Sequence, residues 1–150
     1  MLLARRAARL VLLFALVGLA APVVGASRDN SDKDKKPSLS LKASPTISFS
    51  PARIFLTAEL KGGADDYEEF YCAAVEWDWG DGTRSEASTD CDPYEAGKSE
   101  IKRRFVVEHV YRLAGNYRVQ FRLKKKNRPV ASVSATVQVK PGFRDPTIGL

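Results

Sequence analysis

Apolar and polar residues alternate in short runs from Thr46 onward, and the period is two. In AAVEWDW, Ala73, Val75, Trp77 and Trp79 fall on one side, with Ala74, Glu76 and Asp78 on the other. In GNYRVQFRLKK, Tyr117, Val119, Phe121 and Leu123 oppose Arg118, Gln120, Arg122 and Lys124. The run PVASVSATVQV repeats the rule through Val133, Ala135, Val137 and Val139. Such alternation predicts strands with one face buried and one wet. ISFS, RIFLTAEL and IKRRFVVEHVY are β-branched and aromatic enough to join them. Turn signals separate the runs at Lys61-Gly62-Gly63, Gly80-Asp81-Gly82, Ala114-Gly115-Asn116 and Asn127-Arg128-Pro129. No stretch carries a helical period. The pattern predicts an all-β sandwich of about seven antiparallel strands.

The chain before Thr46 is different. Arg5, Arg6 and Arg9 precede an apolar run from Leu10 to Ala21, and Val24-Gly25-Ala26 offers small residues for cleavage. That is the pattern of a secretory signal peptide over residues 1–26. The apolar run falls short of the about 20 residues a membrane helix needs, so no transmembrane span is expected after cleavage. Residues 27–45 are polar, mixed in charge and poor in large apolar groups, and they read as a flexible leader. The expected organisation is therefore signal peptide 1–26, leader 27–45, sandwich 46–140 and a C-terminal tail 141–150. The expected location is secreted or periplasmic.

Export changes the reading of the cysteines. With only Cys72 and Cys91 in the chain, an oxidising compartment favours one disulfide between them over two unpaired thiols.

Within the sandwich, the run Trp77-Asp78-Trp79-Gly80-Asp81-Gly82 is followed by His109 and Tyr111, then Gly115, Tyr117 and Val119. This combination resembles the polycystic-kidney-disease (PKD) domain, whose signature is W-D-F-G-D-G, then H-x-Y, a turn with Gly, and a Y-x-V strand. The resemblance covers residues 46–140. Trp79 stands where Phe is usual, and the stretch between the GDG turn and H-x-Y is longer and holds Cys91. The resemblance implies an Ig-like sandwich, with His109 and Tyr111 packed near the GDG turn and the Tyr111 hydroxyl donating to a loop carbonyl. It also implies a non-catalytic interaction or spacer module.

The residues read singly agree with architecture. Trp77 and Trp79 lie on the alternating apolar face, which favours core packing over sugar stacking. Asp78 and Asp81 favour turn and sheet hydrogen bonding over catalysis or metal binding. His109 has no nucleophile motif near it, and no nucleophile elbow or metal-ligand pattern is present. No enzyme and no cofactor are expected. Asp90, Asp92 and Glu95 are a weak calcium candidate, together with Asp65, Asp66, Glu68 and Glu69 if the disulfide gathers them; no defined calcium loop is matched. A solvated acidic loop is the favoured reading.

Charge is divided along the chain. Residues 59–100 hold 13 acids and 3 bases, and residues 101–150 hold 12 bases and 2 acids. Arg118, Arg122, Lys124, Lys125, Lys126 and Arg128 are the candidate binding patch, joined by the bases of IKRR if that strand pairs alongside. A patch of this kind suits an anionic glycan, lipid headgroups or an acidic protein, whereas nucleic acid is not expected outside the cytoplasm. Lysine on an exposed strand also serves simply to discourage aggregation. The division itself allows salt-sensitive self-association, the acidic surface of one copy meeting the basic surface of another.

Overall fold

A computed structural model describes residues 35–143. The signal peptide at 1–26, residues 27–34 of the leader and residues 144–150 of the tail lie outside them. Eight strands form: β1 (Ser38–Ser44), β2 (Ile47–Phe49), β3 (Ala52–Lys61), β4 (Ala74–Asp78), β5 (Arg84–Ala87), β6 (Arg104–Tyr111), β7 (Gly115–Lys125) and β8 (Arg128–Lys140). They make a sheet of three strands, ordered β1-β3-β6, and one of five, ordered β2-β8-β7-β4-β5. The molecule is an all-β, two-sheet sandwich. All pairings are antiparallel except the three-residue β2, which runs parallel to β8.

Between the sheets, Ile54, Leu56 and Ala58 of β3 face Val119, Phe121 and Leu123 of β7 and Val137 of β8, and all are essentially inaccessible. Trp77 and Trp79 join this core and stack on each other with ring centroids 5.5 Å apart. Burial of these side chains is the main favourable contribution to folding.

Two expectations require correction. Residues 38–44, read as leader, form β1. Their low apolar content hides a strict alternation: Leu39, Leu41 and Ala43 pack on the core, while Ser38 Oγ and Ser40 Oγ donate to Lys61 O and Glu59 O on β3. The strand count is eight because β5, exposed along its whole length, carries no apolar signal. At the start of the segment read as tail, Gly142 N donates to the buried Ser50 Oγ at 2.9 Å.

The long β3–β4 connection is held from outside. Arg103, just before β6, donates through Nε to Asp65 Oδ1 at 2.8 Å and through its terminal nitrogens to the carbonyls of Leu60, Gly62, Gly63 and Ala64. Lys125 Nζ reaches Tyr71 O at 2.6 Å, and Lys36 Nζ reaches Val130 O and Glu69. Arg103 and Lys125 satisfy carbonyls of the connection itself, at Gly62, Gly63, Ala64 and Tyr71, whereas Lys36 ties Glu69 of the connection to Val130 of β8. The Cys72–Cys91 disulfide joins the same connection to the β5–β6 stretch.

Candidate functional site

The tryptophan–aspartate run turns the chain out of β4. Trp79 N donates to Thr83 O, and Asp81 Oδ1 accepts from Thr83 N at 2.9 Å and Thr83 Oγ1 at 2.5 Å. Asp78 Oδ1 accepts from Gly80 N and its other oxygen pairs with Arg84. Gly80 has φ +75°, and a Cβ there would sit 2.7 Å from Arg118 O, so only glycine meets both demands.

His109 and Tyr111, inward on β6, close over this turn. His109 stacks on Trp79 at 4.3 Å, with Nε2 2.7 Å from Asp81 Oδ2. Tyr111 donates its hydroxyl to Trp79 O at 2.8 Å and stacks on Tyr117 at 4.1 Å. Tyr117 in turn donates to Leu113 O, bracing the turn at Gly115. Burial, reinforced by the Asp81 charge, pushes the Tyr111 hydroxyl well above its ordinary value, so it stays a donor. A cavity of about 390 Å³ opens beside Asp81, Thr83, His109 and Arg112. No nucleophile is poised there. Thr83 gives its proton to Asp81, and His109 turns its Nε2 to the same carboxylate rather than to a hydroxyl. The arrangement fastens a turn.

Burial pushes the Asp81 carboxyl up, but hydrogen bonds from Thr83 and His109 outweigh it and hold the group below its usual 3.8. Hydrogen bonds from Lys124 and then Arg122 hold Glu76 below 4.5. A carboxyl depressed in the folded state contributes stability above its unfolded value and loses it as pH falls through the folded value. The melting temperature is therefore expected to be flat above about pH 5 and to fall below about pH 4. In Asp81→Asn the fall should be shallower. An unchanged acid limb in that variant, followed by circular dichroism, would count against this assignment.

The six basic candidates do not form one free patch. Arg122 pairs with Glu76, and Lys124 Nζ lies 3.0 Å from Glu76 Oε2 and 2.9 Å from Glu86 Oε1. The acids come from β4, next to β7, and from β5 beyond it, on the same outer face. Hydrogen bonds that Lys124 donates to Glu86 and Glu76 raise its pKa. Charges separated along the sequence thus meet within one copy at this sheet. Arg118 contacts Ser134 Oγ, and Lys125 is turned toward the β3–β4 connection. Lys126 and Arg128 sit at the exposed β7–β8 hairpin. The bases of IKRR lie elsewhere, because β6 belongs to the other sheet.

The acidic loop is similarly occupied. Tyr94 donates to Asp66 O, Gly97 N to Asp66 Oδ2, and Lys98 pairs with Glu95. Among the described residues, no three His, Cys, Asp or Glu side chains are grouped to hold a metal ion, so Asp90, Asp92 and Glu95 gain no partners for calcium. Among the same residues no helix is long and apolar enough to cross a membrane.

Sequence reasoning missed the outer face of the three-stranded sheet. Phe55 is 49 % exposed, Val106 60 % and Val110 41 %. The register sets Phe55 opposite Glu108, with Thr57 opposite Val106 and Arg53 opposite Val110. Phe55 is therefore diagonal to both valines, within side-chain reach. The signal was present as FVV in β6, where two neighbouring valines cannot both face inward.

No family model and no curated protein matches the chain. Among solved structures it is similar to the PKD domain of an M14-like peptidase from Thermoplasmatales archaeon SCGC AB-540-F20, at 14% identity, over 73% of this chain and 99% of that chain, with a TM-score of 0.48. It is also similar to the CARDB domain of a Pyrococcus furiosus protein, determined in complex with di-metal ions, at 13% identity, over 72% of this chain and 92% of that chain, with a TM-score of 0.44.

Proposed function

We propose that this chain is an exported, non-catalytic interaction module of PKD type that binds a protein partner through the outer face of its three-stranded sheet. The observation that carries this reading is the contiguous exposure of Phe55, Val106 and Val110 between Arg53 and Glu108. Scattered apolar residues are ordinary on a surface, but here a phenylalanine, two valines and an arginine adjoin, and aromatic side chains and arginine are enriched where proteins meet. The pairing of Arg122 and Lys124 with carboxylates argues against a polyanion as the main ligand. A second reading, an anionic glycan held at the β7–β8 hairpin, draws on Lys126 and Arg128, which line an open groove with Lys125 and with Glu68 and Glu69.

A photo-crosslinking residue placed at Val106 is expected to give a discrete protein adduct in cells that make the chain. The adduct should vanish with Phe55→Ser, and a probe at Arg118 should give none. Adducts at Arg118 alone, or glycan binding lost in Lys126→Ser with Arg128→Ser, would replace this reading with the second.

A further inference from the structure

Among the described residues the three-stranded sheet ends at β6, with no strand on its far side. Leu60 N donates to Arg103 O at 2.8 Å, and antiparallel strands alternate the direction of their main-chain groups. With Glu59 opposite Arg104 and Ala52 opposite Tyr111, the N–H and C=O groups of Phe105, Val107, His109 and Tyr111 face β3. Those of Arg104, Val106, Glu108 and Val110 face outward.

Natural sheets protect such margins with short strands, proline, lysine or bulges. Here β2 has three residues and β5 four, and β1 lies between Pro37 and Pro45. By contrast β6 offers eight residues without proline, glycine or lysine, and Val106 is its most exposed large apolar residue. Beside it runs an open groove of about 250 Å³, lined by Val75, Trp77, Ala87, Phe105 and Val107 and also by Ser85, Glu86 and Lys102.

We infer that β6 accepts an extended segment of a partner protein as a fourth, antiparallel strand. That segment has apolar residues opposite Val106 and Val110, a basic residue opposite Glu108 and an acidic residue opposite Arg104. The Glu108 carboxylate also pairs with Arg53, and Arg104 lies 3.7 Å from Glu59; both pairs are solvent-exposed, so the incoming charges extend them. The inference rests on the protein-binding reading above and names its mode. Main-chain pairing supplies the contact, and alternate side chains supply the choice of partner. The side chains between these positions point down into the groove, where small apolar groups fit. A second whole copy does not suit the place. His109 stacks on Trp79, and Phe105 meets Phe121 of β7 at 5.2 Å, so β6 lies over β7 and β4. On the far side of β4, β5 reaches beneath the vacant position, in the layer where a second copy would bring its own β4 and β5. A lone strand is instead backed by β5.

The probe is a labelled, end-blocked peptide, Val-Ala-Lys-Ala-Val-Ala-Glu-Ala, and its control has Lys and Glu exchanged. The purified protein is expected to bind the probe on the order of tenfold more tightly than the control, since like charges would face each other in the exchanged register. Arg104→Glu with Glu108→Arg, made together with Glu59→Arg and Arg53→Glu so that the pairs with β3 are kept, should invert that preference. Val106→Pro should abolish binding with the melting temperature nearly kept, because the lost N–H faces away from β3. Equal binding of the two peptides, no inversion, or undiminished binding by a folded Val106→Pro variant would overturn the inference. A concentration-dependent dimer that Val106→Pro dissolves would overturn it too, in favour of a second copy. Should that variant not fold, the inversion alone decides. If the Val106 adduct still depends on Phe55 while the peptides fail, only strand addition is lost and the protein-binding reading stands.

Discussion

Trp77→Ala is expected to lower unfolding stability by about 3–5 kcal/mol, the usual loss for truncating a large aromatic side chain in a core. Trp77 is 5 % exposed, stacks on Trp79 and meets Phe121 at 4.6 Å. The neighbours that surround it belong to rigid strands, so the vacated space will not collapse fully. Against a typical domain stability of about 5–15 kcal/mol, the variant should be poorly folded at physiological temperature. Denaturant unfolding checks this directly. A midpoint close to that of the wild type would place the indole outside the core and undo the account of the WDWGDG run.

Removing the disulfide is the second large effect. Cys72→Ser with Cys91→Ser, or reduction, should lower stability by roughly 3 kcal/mol, from the freedom that a cross-link over a separation of 19 residues removes from the unfolded chain. In a domain of this size that corresponds to a fall in melting temperature on the order of 10 °C. The folded state should survive. Tyr71 donates to Asp92 O at 3.0 Å, and Tyr94 and Gly97 reach Asp66, so three further ties hold the two connections together. The expected result is an unchanged strand spectrum at low temperature with an earlier melt. Loss of the spectrum at all temperatures would mean that the connections are organised by the bridge itself.

The parts legible in the sequence were those in which one residue type answers one local demand. Alternation around Trp77 and Phe121 identified β4 and β7, and the GDG run identified a turn whose glycine at 80 meets the Arg118 carbonyl. What escaped depends on neighbours distant in sequence. β1 is polar enough to pass for a leader, and it becomes a strand because the margin of β3 supplies its ladder. β5, with no buried residue, exists only as the partner of β4. The basic residues of β7 looked like one patch because Glu76 and Glu86, some 40 residues upstream, were not visibly beside them. Conversely, Arg103 stood inside a basic run like any solvated arginine, and only the fold shows its guanidinium filled by carbonyls.

Arg103 also bears on any attempt to transplant this domain's parts. The conformation of residues 62–64 is stored about 40 positions away, in a planar fork that reaches four carbonyls and a carboxylate together. Lysine offers a single nitrogen and cannot reproduce that reach. Grafting the β3–β4 connection onto another sandwich would therefore require its remote arginine to travel with it, and a library that varies Arg103 while holding the connection constant would be varying the connection as well.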